Sequence, residues 1–141
     1  GGNPENTLIT NKLSDIKILL AEDNAINQQV TLTILQKAGY QVDMASNGEE
    51  AINLWESNRY RLILMDWHMP VLDGLNATRI IRSREKIGQR IPIIALTANA
   101  MQGHDNVAYE AGMDGYLSKP FRPGELLDVV HQFAHEALLN E

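Results

Sequence analysis

The 141-residue chain contains no cysteine, which removes disulfides and thiol chemistry from consideration and is compatible with a reducing compartment. It has no apolar stretch approaching the ~20 residues a membrane-spanning helix needs, and no signal-peptide pattern. No Lys/Arg cluster stands out and the formal net charge is -6, so direct nucleic-acid binding and membrane contact by this domain are not expected. Repeats and low-complexity segments are absent too. What is present is ordinary for a globular domain: 44% hydrophobic and 21% charged residues, at a length that supports one core. The isolated chain is expected in the cytoplasm, and a parent protein anchored in a membrane is compatible with it.

Residues 1-14 are polar and lack periodicity, and read as a linker or expression leader, with Gly1-Gly2 as a cloning remnant. Residues 15-141 alternate short apolar runs with amphipathic helical patterns. Ile26, Val30, Ile34 and Leu35 form an apolar stripe that stops at Gly39. Gln41 to Ala45 alternates polar with apolar and reads as a half-exposed edge strand. Asn47 and Glu50 resemble a capping box opening a helix that buries Ala51, Leu54 and Trp55. A third helix runs through Ile80 and Ile81 into the basic stretch Arg82 to Arg90, which reads as solvated together with Arg79. A fourth is expected around Gln102 to Ala111. The last starts at Pro123, with Leu126, Leu127, Val130, Phe133, Ala134 and Ala137 inward. Five βα units with right-handed crossovers and a polar second strand predict an α/β, flavodoxin-like doubly wound (βα)5 fold, its parallel sheet ordered 2-1-3-4-5.

Four apolar runs end in residues suited to phosphoryl chemistry: Glu22-Asp23 after Ile18 to Ala21, Asp66 after Leu62 to Met65, Thr97 after Ile93 to Leu96, and Lys119 after Tyr116 to Ser118. Buried parallel strands read as continuous apolar runs, and ligands bind such sheets outside the carboxyl ends of the strands. Three carboxylates, a hydroxyl and an ammonium therefore converge on one rim. Two carboxylates about 4 Å apart repel by roughly 4 kcal/mol at an effective dielectric of 20. Either one takes up a proton or a cation binds. Oxygen donors without Cys or His favour a hard ion, Mg²⁺ or Mn²⁺, over zinc. A site so neutralised suits phosphoryl transfer to a carboxylate nucleophile, for which Asp66, ending the central strand, is the best candidate.

These residues sit in Ala21-Glu22-Asp23-Asn24, Met65-Asp66-Trp67-His68-Met69-Pro70 with Asp73-Gly74, Ala95-Leu96-Thr97-Ala98, and Gly112 to Pro120. In order and spacing the set resembles the receiver domain of two-component response regulators. Asn27-Gln28, Ala77-Thr78-Arg79 with Ile81-Arg82, and Thr97 to Met101 further resemble receivers of hybrid sensor histidine kinases. The resemblance implies that Asp66 accepts phosphate from a phosphohistidine. It implies that Asp23 and Asp66 bind Mg²⁺ directly, Glu22 through water and His68 by its main-chain carbonyl. Thr97 and Lys119 would contact the phosphoryl group, Tyr116 would be an aromatic switch coupled to Thr97, and the Lys119-Pro120 bond would be cis. The implied partners are a sensor histidine kinase domain and a histidine phosphotransfer protein docking near Ile26 and Asn27. A stand-alone regulator acting by phosphorylation-dependent binding is the alternative. By the resemblance the domain would be a phosphoacceptor taking part in its own phosphorylation, and a hybrid histidine kinase its expected parent. Glu22 replaces the family's more frequent Asp, and Gly115 a common acid.

Other residues carry plainer readings. His68 reads as an exposed loop histidine, and Asp128, His131 and His135 as helix surface without the fourth ligand a zinc site needs. Met44, Met65 and Met113 read as core fillers, Trp55 as packing, and Trp67 as partly exposed. A phosphatase on a doubly wound fold is disfavoured because the Asp-x-Asp-x-Thr signature is missing at Asp66. A flavodoxin-type cofactor binder is disfavoured because no glycine-rich phosphate loop follows the first strand.

Overall fold

The computed structural model describes residues 16–98 and 104–139. The expected leader at 1-14, Asn99, Gln102 and the side chain of Ala137 lie outside the described residues. Five strands, β1 (Lys17–Ala21), β2 (Gln41–Ala45), β3 (Leu62–Asp66), β4 (Ile93–Thr97) and β5 (Gly115–Ser118), pair in parallel in the order β2-β1-β3-β4-β5. They alternate with α1 (Ala25–Lys37), α2 (Gly48–Ser57), α3 (Gly74–Arg84), α4 (His104–Ala111) and α5 (Pro123–Leu139). This is the doubly wound order that the crossover rule predicts.

Residue parity along each strand divides the core. Leu19, Ile63, Met65, Ile93 and Ala95 face one layer, with Ala51 of α2, Ala77 and Ile81 of α3 and Ala108 of α4. Ile18, Leu20, Leu62, Leu64, Ile94 and Leu96 face the other, with Leu35 of α1 and Leu126, Val130 and Ala134 of α5. β3 and β4 are buried along their whole length, which is why they read as unbroken apolar runs. β2 and β5 are the edges: β5 alternates buried and exposed residues, whereas β2 is exposed or half-buried from Gln41 to Met44 and buried only at Ala45.

Local chemistry sets the helix ends. Asn24, Asn47 and Asp73 cap α1, α2 and α3 by accepting from the N–H groups of Asn27, Glu50 and Asn76. Glu50 does not complete a capping box on Asn47; its Oε1 accepts from the Ser46 N–H at 2.8 Å instead. Gly39 and Gly112 follow α1 and α4 with φ of 102° and 107°, left-handed conformations that glycine adopts without steric cost.

Four further expectations are corrected. Ile26 and Val30 do not join the core stripe of α1: they are 74% and 53% exposed, while Thr31 and Leu35 are buried. The buried face of α1 runs through Thr31 and Leu35, and Ile26 and Val30 lie roughly 180° and 140° around the helix from Leu35, toward solvent. Met44 faces solvent on edge strand β2 and fills no core, unlike Met65 and Met113. Trp67 is buried against the α2–α3 layer rather than partly exposed. Arg82 is no solvated surface residue. Its guanidinium bonds both Glu85 carboxylate oxygens at 2.9 Å, Asp114 Oδ2 at 2.7 Å and the Gly112 carbonyl at 2.8 Å. Arg90 adds bonds to Asp114 Oδ1 and the Gly112 carbonyl, and the Ile93 N–H donates to Asp114 Oδ2.

A side-chain carbon at Gly74 would lie 2.1 Å from the Asp66 carbonyl oxygen and 2.9 Å from Met65 Cγ. Gly74→Ala is therefore expected to cost about 2 kcal/mol or more, lowering the thermal midpoint by several degrees. Gly124→Ala, where nothing lies within 4 Å, serves as the control and should be near neutral in the same melt.

Candidate functional site

β1, β3 and β4 end at one rim, and the backbone there draws their last residues together. The Glu22 N–H donates to the Ala45 carbonyl, the Trp67 N–H to Leu96 and the Lys119 N–H to Thr97, at 3.0, 3.0 and 2.8 Å. Glu22, Asp23 and Asp66 each offer a carboxylate oxygen within 4.8 Å of the others. Lys119 Nζ lies 2.7 Å from Glu22 Oε2 and 3.2 Å from Asp66 Oδ2. Thr97 sits almost fully buried at the end of β4, paired in register with Ser118 beside Lys119. All five rim residues expected from sequence are thus at one end of the sheet.

The remaining expected residues surround this centre. His68 is exposed, its N–H 3.4 Å from Asp66 Oδ1, and its ring stacks on Trp67 at 6.3 Å between centroids. Tyr116 stands on edge strand β5, 40% exposed. The Lys119-Pro120 peptide is cis. Between Asp66 and α3, Val71 takes a φ of 69° with its side chain exposed, a strained conformation for a β-branched residue in the loop beside the site.

Burial and charge act together on Asp66. Its pKa is pushed up to about 6, first by desolvation and then by the Glu22 charge, with the Lys119 ammonium pulling the other way. Lys119 is held above the usual lysine value: burial works against its charge, and its bonds and charge contacts with Glu22 and Asp66 outweigh that. One lysine does not balance three carboxylates, and two positive charges more would. The donors are carboxylate oxygens, with no histidine in the cluster, so a hard divalent cation fits Glu22, Asp23 and Asp66.

Sequence reasoning missed what holds Glu22 in place. Its Oε1 accepts from the Asn24 N–H at 3.2 Å and the Asn27 side-chain amide at 3.4 Å, while the Gln28 amide donates to the Glu22 carbonyl. Asn27 and Gln28 thus brace the buried acid from the first turn of α1. The only signal in the sequence was the run of amides directly after the acidic pair.

A raised carboxyl pKa makes stability fall with pH. Folded Asp66 retains its proton up to about pH 6, whereas an ordinary aspartate, with a pKa of about 3.9, has lost it, so the folded state binds more protons between roughly pH 4 and 6. Ionised Asp66 then costs on the order of 2–3 kcal/mol above that window and nothing below it. In metal-free buffer Asp66→Asn should accordingly be more stable than the parent at pH 7 to 8, with the gap closing near pH 4. Urea denaturation across this range measures it.

Comparison with known proteins agrees with this geometry. The family model described as response regulator receiver domain matches residues 18–131. Histidine kinase 5 of Arabidopsis thaliana is 40% identical over 84% of this chain and 16% of its own length. The hybrid signal transduction protein dokA of Dictyostelium discoideum is 45% identical over 85% of this chain and 7% of its own. The chain therefore spans only a small part of these curated relatives. Among solved structures, the receiver domain of sensor histidine kinase PA1611 from Pseudomonas aeruginosa PAO1, with a magnesium ion in its active-site cleft, is 47% identical, with a TM-score of 0.78 over 85% of this chain and 98% of that one. The co-crystal of the Saccharomyces cerevisiae phosphotransfer protein Ypd1 with the Ssk1 receiver domain gives 32% identity and a TM-score of 0.79, over 85% of this chain and 89% of that one. A sheet of this order, an acidic rim closed by a lysine and a family match over most of the sequence have one reading: the chain belongs to the response regulator receiver domain family of two-component signalling.

Proposed function

We propose that Asp66 is the phosphoacceptor, taking a phosphoryl group from the phosphohistidine of a sensor histidine kinase domain. The observation carrying this is the position of Asp66: it ends the central strand, among two other carboxylates, with the Lys119 ammonium 3.2 Å away. A carboxylate oxygen of Asp66 attacks phosphorus, the P–N bond breaks, and the electron pair returns to the imidazole nitrogen. Lys119 offsets charge on the phosphoryl oxygens and the Thr97 hydroxyl donates to them. Magnesium, or manganese in its place, would be held by Asp23, Asp66 and the His68 main-chain carbonyl, with Glu22 acting through water, and would supply charge neutralisation at the transferring group. Thr97 and Tyr116 form the switch, Tyr116 starting from its exposed position on β5.

The relatives that are histidine kinases support a hybrid sensor kinase as the parent chain and a histidine phosphotransfer protein as the onward acceptor. Ile26 and Val30, exposed on the turns of α1 nearest the acidic rim, give such a protein an apolar contact beside Asp66. A stand-alone regulator would need no onward transfer.

Incubation with acetyl phosphate and Mg²⁺ should yield one phosphoryl adduct by mass spectrometry, acid-stable and base-labile, absent when EDTA is added. An adduct that persists in Asp66→Asn would overturn the assignment. The Ile26→Asp/Val30→Asp double variant should still be labelled by acetyl phosphate. Its phosphoryl exchange with a histidine phosphotransfer protein should slow by about tenfold or more, equivalent to ~1.4 kcal/mol of lost docking.

A further inference from the structure

At the opposite end of the sheet from Asp66 lies a groove of about 1110 Å³, formed by the end of α2, the loops before β3 and β4, and Phe133 of α5. β3 separates the two regions, with Arg61 just before its first residue and Asp66 its last. Five residues lining the groove are cationic, Arg59, Arg61, Arg84, Lys86 and Arg90, against the three acids Glu56, Glu85 and Asp114. The lining is thus net positive in a chain whose formal charge is -6.

The acids are already engaged. Arg84 pairs with Glu56, Arg90 with Asp114, and Arg82, from behind the lining, with Glu85 and Asp114. Arg59, before β3, and Lys86, before β4, are exposed, and among the described residues neither has an ion-pair partner. Arginine retains further donors after one carboxylate contact, in a fork that matches phosphate oxygens. The same groove has an apolar wall in Trp55, Pro92 and Phe133, all partly buried. Its volume lies just above the range of about 300–1,000 Å³ usual for ligand pockets.

We propose that this groove binds a nucleotide-class ligand, its phosphates held by Arg59, Lys86 and the paired arginines and its base against Trp55. Guanidinium groups recognise the phosphates, and an aromatic face is sequence-tolerant toward any base. Binding here leaves the acidic rim free for phosphoryl transfer.

The test is a titration of the ¹⁵N-labelled protein with ATP in EDTA, which prevents the acidic rim from recruiting nucleotide through a metal. Saturable amide shifts are expected at residues 55–61 and 84–92. Arg59→Glu/Lys86→Glu, both at exposed positions, should weaken ATP about tenfold or more. Trp55→Leu should weaken ATP while leaving inorganic tripolyphosphate unaffected. Absence of shifts at millimolar ATP, shifts reproduced by sodium chloride of equal ionic strength, or binding unchanged in the charge-reversed variant would overturn the proposal. Tripolyphosphate binding as tightly as ATP, or a Glu-rich peptide binding the same amides more tightly, would overturn its assignment to a nucleotide.

Discussion

Mutual repulsion among Glu22, Asp23 and Asp66, offset in part by Lys119, is the constraint on which the rest of this structure depends. Three carboxylates within 4.8 Å are tolerable only because one ammonium reaches two of them and because the most buried acid is braced by the first turn of α1. The remaining imbalance shows in the raised pKa of Asp66. That imbalance has a chemical consequence: a carboxylate held among like charges favours either a proton or a cation at the rim.

The fold places this tension where it does not disrupt the core. Parallel strands carry their apolar residues through the middle of the sheet and deliver their next residues to one rim. At the other end a second ionic network, Arg82 and Arg90 with Glu85 and Asp114, ties the end of α3 to the approaches of β4 and β5. There cation and acid are matched with short bonds, and Asp114 is satisfied from three sides. Gly48 and Gly74 support the acidic rim: the Gly48 N–H donates to the Leu72 carbonyl and Gly74 packs directly under Asp66, so the loops bearing the site meet backbone to backbone.

Much of this was legible in order and spacing. The doubly wound sheet followed from five alternating units, and the caps at Asn47 and Asp73 lie next to the turn residues that announce them. The rim residues were legible because a strand buried on both faces leaves a sharp boundary where its first polar residue appears. The apolar stripe misled in α1 because Ile26 and Val30 lie roughly 180° and 140° around the helix from Leu35, at about 100° per residue, and so point away from the layer that Thr31 and Leu35 meet. Met44 and Trp67 were misjudged for a related reason, since hydrophobicity alone does not say whether an edge or a second layer is the neighbour.

The sequence by itself determined the order of the elements and the identity of the acids, hydroxyl and lysine at the rim, because these depend on local pattern and on rules of chain connection. Only the tertiary structure decided which charges meet. Arg82 and Asp114 are thirty-two positions apart, and Lys119 and Glu22 ninety-seven. It likewise gathered five scattered cations into one groove in a chain that shows no basic cluster. Electrostatic partners are set by distance through space, which a linear pattern does not encode until the sheet has brought its strand ends together.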